Sequence, residues 1–223
     1  MTDGSHYKSL ATVVEDDLFP TVDLALREGR HIANDEPAEY GFIREAQPFL
    51  EAFYRRYGAE LVQANDGYFY LRPIGDRLGR RHLSGGEMLV GQALALLYLD
   101  PATVQSGGAA LRGQVVELLD NLVGKDKLLS ALNRRRSGKK AERIAQEHVR
   151  REIDLALRGL SRLGFVELLE GERLRLRPPL LRFTDPVRGL GDPAAGLQRL
   201  LERRDAVLID ADAQDAHDEE DPQ

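Results

Sequence analysis

The sequence predicts a helix-rich α+β fold in which one plan is used twice, and three observations carry that prediction. First, over residues 144–163 Val149, Ile153, Leu157 and Leu160 fall at spacings of four, four and three, one apolar helical stripe. Arg151, Asp154, Arg158 and Arg162 occupy the other side. Second, Gly164 stands where a helix C-terminus wants positive φ, and residues 165–169 and 173–177 flank Glu170-Gly171-Glu172 as a hairpin. Third, the same order occurs earlier. Phe49, Leu50, Phe53, Tyr54 and Tyr57 make a helical face closed by Gly58. Glu60-Leu61-Val62, the turn Ala64-Asn65-Asp66-Gly67 and residues 68–73 follow as a second hairpin.

Gly58 to Pro73 is 15 residues and Gly164 to Pro178 is 14, and both hairpins close on Leu-Arg-Pro. A long amphipathic helix followed by a two-stranded wing is the working half of a winged-helix domain. The repeat therefore predicts two such domains in tandem. The expected boundaries are an N-terminal winged-helix domain with a hinge helix over 15–105, a C-terminal one over 110–205, and a disordered acidic tail over 206–223.

Taken in order, residues 1–14 are weakly patterned. Leu18-Phe19-Pro20 opens a helix, since Pro is tolerated in a first turn, with the stripe Val22, Leu24, Ala25 and Leu26 and an end at Gly29. Residues 30–36 read as a connection, and a helix over 37–57, bent at Pro48, follows. Residues 74–83 form a polar, basic linker. Ser84 and Glu87 then have capping-box spacing. The helix over 88–99 is apolar nearly all round, which predicts a core shared by the two domains, and Asp100-Pro101 stops it. A helix over 111–123 carries Val115, Val116, Leu118, Leu119 and Leu122, and a short one with Leu128, Leu129 and Leu132 follows. Leu180-Leu181-Arg182-Phe183 is expected to pack back on the body. A break over 189–193, a last helix over 194–204 and the tail complete the chain.

Bulk properties narrow the function. The 223 residues carry a net charge of −6, but residues 206–221 alone contribute −7 and the remainder sums to about +1. Residues 134–151 hold eight Arg or Lys against Glu142 and Glu147, a local +6. No apolar run reaches bilayer-spanning length, and no signal-peptide pattern opens the chain. Zero cysteines excludes disulfides and thiolate metal sites, and fits a reducing cytoplasm.

One motif suggests an enzyme. Leu83-Ser84-Gly85-Gly86-Glu87 looks like the signature of ABC-type ATPases, and Leu97-Tyr98-Leu99-Asp100 like a Walker B strand. The phosphate-cradling Gly-Lys-Ser/Thr loop is missing, Pro101 stands where an acid is needed, and both pieces read as one helix. His31 with Asp35 and Glu36 has the residue types of an acid–base or metal site, but reads as a surface or capping pair. The five His residues show no metal-ligand spacing. No catalytic residue, cofactor or metal is expected.

The basic segment is the candidate site. Arg134, Arg135, Arg136, Lys139, Lys140, Arg143, Arg150 and Arg151 suit contact with a duplex backbone, which needs charge and donors rather than fixed spacing. The helix face carries Arg and Glu but no outward Asn or Gln set, so the expected DNA binding is weak and sequence-independent.

Three blocks then give the sequence a family likeness. They are Leu18-Phe19-Pro20 to Leu26-Arg27 with Gly29-Arg30-His31-Ile32; Phe53-Tyr54 through Tyr68-Phe69-Tyr70-Leu71-Arg72-Pro73; and Leu83-Ser84 through Met88 and Val90-Gly91 to Leu97-Tyr98-Leu99. Weaker agreement runs through Leu132-Asn133-Arg134, Arg162-Leu163-Gly164, Arg182-Phe183 and Gly191-Asp192-Pro193. In these the chain resembles the MukE family, the tandem winged-helix subunits of bacterial MukBEF condensins. Gly85-Gly86 departs from that family's pattern, where bulkier residues stand.

The resemblance implies a non-enzymatic, nucleoid-associated cytoplasmic subunit that dimerises and binds an extended segment of the kleisin MukF. Through the kleisin it reaches the SMC ATPase MukB, with DNA held beneath, and supports chromosome condensation and segregation. The related MksE and Wadjet-type plasmid-defence subunits share the architecture, and the first block favours MukE proper. A free-standing winged-helix transcription regulator is the alternative from another class. The resemblance leaves the partner-binding residues unassigned.

Overall fold

The computed structural model describes residues 7–123 and 142–187. The helices expected over 128–132 and 194–204, the loop over 134–140, the break over 189–193 and the acidic tail lie outside the described residues.

The first half opens with α1 (Leu10–Val14), unforeseen in the weakly patterned N-terminus, where the Ser9 hydroxyl accepts a 3.3 Å bond from the Thr12 N–H. In α2 (Phe19–Arg27) Pro20 sits in the first turn, and Val22, Ala25 and Leu26 are buried. Leu24, expected in the same stripe, faces solvent at 60% exposure. The stretch expected as a plain connection holds strand β1 (Ile32–Ala33). It is too short for an alternating pattern to show. Next comes α3 (Pro37–Arg56), one helix that runs through Pro48. Pro48 and Arg44, whose carbonyl loses its N–H partner, are both exposed, so water can supply the missing bond. Strands β2 (Ala59–Ala64) and β3 (Tyr68–Pro73) form the hairpin, with Gly67 at φ +84° in its turn.

The second half begins with α4 (Gly85–Leu99), capped by a reciprocal pair. The Ser84 hydroxyl accepts from the Glu87 N–H at 3.1 Å, and the Ser84 N–H donates to Glu87 Oε2 at 2.8 Å. Pro101 ends that helix by starting another, α5 (Pro101–Gln105). Strand β4 (Ala109–Leu111), α6 (Arg112–Val123), α7 (Glu142–Arg162), β5 (Val166–Leu168) and β6 (Arg173–Leu176) follow. A 3-10 helix, Pro178–Val187, folds back on the body as expected and buries Leu180 and Phe183.

Each half contains a three-stranded antiparallel sheet of the same plan. The orders are β1-β3-β2 and β4-β6-β5, so in both the last strand is central and the short first strand covers its outer edge. The hairpins even share a cross-strand pair: Glu60 lies opposite Arg72, and Glu167 opposite Arg175.

The cores differ. The first is aromatic-rich, with Tyr7, Phe42, Tyr54 and Phe69, while the second is built largely from Leu, Val and Ala around Leu94, Leu119, Ile153 and Leu157. The buried side chains of α4, Leu89, Val90, Ala93, Leu94 and Ala95, all belong to the second core. This corrects the expectation of a shared apolar core: a helix apolar all round is buried by its own half, between α6, α7 and the 3-10 helix. Close approach requires small residues there. A Cβ on Gly91 would come within 2.4 Å of the Phe183 ring. No helix among the described residues is long and apolar enough to cross a membrane.

Candidate functional site

The halves meet at a joint that is polar at its centre. Residues 30–36 reach it because Gly29 turns the chain at φ +84° directly after α2. The far side is supplied by the end of α7 and by the segment after β6. The His31 N–H donates to the Leu163 carbonyl at 2.9 Å, while its ring Nδ1 donates to the same oxygen at 3.0 Å. That assignment leaves Nε2 as the acceptor for the Arg182 guanidinium at 2.6 Å. The imidazole ring also packs against Phe165, 4.4 Å between centroids, and Tyr70, 5.4 Å. Arg182 in turn lies over the Tyr70 ring at 4.0 Å.

Beside this pair, Arg177 donates to both carboxylate oxygens of Asp35, at 2.7 and 2.9 Å, and to Glu36, which also takes Arg30. The Arg177 side chain is 5% exposed. Burial disfavours its charge, but the bonds from Asp35 and Glu36 outweigh that and raise its pKa further. His31 shows the reverse balance. Burial first, then the Arg182 charge, push its pKa down to about 3. It is a neutral hydrogen-bonding hinge pin rather than a surface pair, which corrects the reading from its neighbouring carboxylates.

Next to the joint lies a cavity of about 630 Å³, open to solvent. Its walls include Leu26, Leu71, Leu78, Leu163 and Phe165, and the linker residues Arg80, Arg81 and His82 border it. Such a volume is typical of ligand pockets.

The candidate DNA-contacting residues are only partly visible. Arg134, Arg135, Arg136, Lys139 and Lys140 lie outside the described residues, and Arg143 is placed only by its backbone in α7. Arg150 and Arg151 are exposed on α7, opposite the stripe in which Val149, Ile153, Leu157 and Leu160 are buried. Asp154 on the same helix pairs with Arg112 at 2.9 Å.

The ATPase-like segment folds as a helix with its cap. Glu87 bonds the Ser84 N–H and Arg81 and packs against α7 at Gly159, where a Cβ would come within 2.0 Å of its carboxylate. Motif reading missed the joint because its partners lie more than 130 residues apart in sequence. Among the described residues, no group of three His, Asp or Glu could hold a metal ion.

Comparison with known proteins places these features in a family. The chain matches the MukE-like family over residues 7–223. It is 35% identical over 204 residues to the chromosome partition protein MukE of Shigella flexneri, covering 90% of this chain and 89% of that protein. The protein of the same name from Escherichia coli strain K12 is 35% identical over 90% of this chain and 86% of its own length. The Pasteurella multocida protein is 35% identical over 91% and 84%.

Proposed function

The chain belongs to the MukE-like family, and on that premise we propose that it is a non-catalytic accessory subunit of an SMC-type condensin, acting in chromosome partition. The observation that carries this reading is the match over residues 7–223 to proteins named for chromosome partition. The physical features are consistent with it. Each half is read as a winged-helix unit, the hairpin being the wing and α3 or α7 the helix before it. The division between the units falls in the linker over 74–83, because α4 packs with the second core.

In this reading the subunit dimerises and grips an extended segment of a MukF-type kleisin, and through it reaches a MukB-type ATPase. A chain laid along two units gains affinity from many small contacts. The protein works in the cytoplasm at the nucleoid. The basic segment, with Arg150 and Arg151 exposed, contacts the DNA backbone weakly and without sequence preference.

Co-expression with a MukF-type kleisin and a MukB-type ATPase, followed by gel filtration, tests the proposal: one complex containing all three is expected. Separate elution of the kleisin would overturn it. Charge reversal at Arg135, Lys139 and Lys140 is expected to weaken DNA retention at low salt and leave the complex intact. With four or five phosphate contacts, log affinity should fall against log salt with a slope of roughly −4. Unchanged retention would remove the DNA assignment.

A further inference from the structure

The cavity beside the joint has a charge imbalance that the described residues do not relieve. Of its arginines, Arg27 is paired with Asp23 at 2.8 Å and Arg81 with Glu87 at 2.8 Å. Arg80 and Arg182 have no acidic partner among the described residues, and the hydrogen bond that Arg182 donates goes to an uncharged imidazole. Set against Glu28, the one acid among the lining residues, these two guanidinium groups leave an excess of one positive charge around a cavity whose walls are otherwise largely apolar. That combination selects an occupant with carboxylates next to aliphatic side chains.

The chain itself contains one. After Val187, the last described residue, 36 residues remain, and Val207-Leu208-Ile209 is followed by seven carboxylates and no Lys or Arg through residue 221. Arg182 and Phe183, in the 3-10 helix from which this segment departs, themselves line the cavity. Residues 188–205 could span up to roughly 60 Å if extended, so reach does not limit contact. Tethering at that distance gives an effective concentration on the order of millimolar, enough to populate a weak contact.

We propose that the acidic segment docks in the joint cavity of its own chain, with Val207, Leu208 and Ile209 against Leu71, Leu78 and Phe165. Asp210 and the following carboxylates face Arg80 and Arg182. The basic stretch over 134–143 competes for the same acids, but the apolar run gives the cavity an attraction that charge alone does not supply. This inference does not depend on the condensin reading.

The absence of cysteine allows one nitroxide to be placed at Ala211→Cys in the full-length protein. Paramagnetic broadening of backbone amide signals then reports its position. Leu78, Gly79 and Met88 should broaden at least about threefold more than amides on α1. The excess should fall at ~0.5 M salt, where screening is confined to a few ångströms. It should also fall in a variant with Asp210, Asp212, Asp215 and Asp218 changed to Asn, and in Arg80→Glu. Broadening spread evenly, or concentrated on residues 134–143, would overturn the proposal. So would broadening that passes only between labelled and unlabelled copies in a mixed sample, since a second chain would then fill the cavity.

Discussion

Leu-Arg-Pro closes both hairpins, yet its two arginines have opposite fates. Arg72 stands on the surface, its side chain 61% exposed and paired with its cross-strand neighbour Glu60. Arg177 is 5% exposed and reaches across the joint to Asp35 and Glu36 in the other half. The difference lies in where each tag falls. Pro73 is still within β3, whereas β6 ends at Leu176, so Arg177 is released to turn inward. The two sheets share one strand order, yet only the second hairpin's arginine holds the first half against the second.

The glycines that end α3 and α7 sharpen this contrast most. Gly58 and Gly164 occupy equivalent positions, at φ +72° and +79°. A Cβ at Gly164 would lie 2.3 Å from the His31 carbonyl oxygen, across the joint, while at Gly58 it would lie 3.0 Å from that of Ile74. Gly164→Ala is therefore expected to cost about 3 kcal/mol or more in urea unfolding, and Gly58→Ala about 1–2 kcal/mol, mainly backbone strain. Equal losses would mean that the joint yields without resistance.

The arginines come next. Arg177→Met should cost about 2 kcal/mol, less than loss of a fully buried partner, because Asp35 remains 34% exposed and can be rehydrated. Arg72→Met should leave the unfolding midpoint unchanged. A matching loss in both would erase the distinction.

His31 adds a pH signature. Its pKa is near 6.5 unfolded and about 3 folded, so above pH 6.5 neither state carries the proton. As the pH falls below 6.5 the unfolded chain takes up a proton that the folded one refuses. Stability then drops by up to about 1.4 kcal/mol per pH unit until pH 3 is approached. His31→Gln should lack this component, seen as a shallower stability profile than the wild type between pH 6.5 and 4. Parallel profiles would show that the ring is solvated. A similarly small effect is expected at the exposed Glu167–Arg175 pair, where Arg175→Ala should change stability by less than about 0.5 kcal/mol.

Much of the fold was legible because local signals sufficed. Both hairpins follow from alternation closed by glycine, and α4 from the Ser84–Glu87 spacing. The α7 stripe buries the residues its periodicity named. Strands β1 and β4, of two and three residues, are too short for alternation to register, and each exists because a hairpin strand elsewhere offers an edge. The apolar surround of α4 revealed that it is buried but not by which half. At the candidate site, residue type alone placed His31 near carboxylates, but its burial comes from Leu163, Phe165 and Arg182, contacts that no local pattern encodes. Of the basic segment, the structure locates Arg150 and Arg151 on the exposed face of α7.

The central claim is that two repeated units are coupled through a polar joint rather than through one common apolar core. Native-state hydrogen exchange at Leu71 in β3 and Leu174 in β6 tests it most directly, since each amide reports the opening energy of its own sheet. The account predicts matching opening energies in the wild type, and in Arg177→Met a drop at one sheet that separates the two. Unequal energies in the wild type, untouched by Arg177→Met, would contradict it.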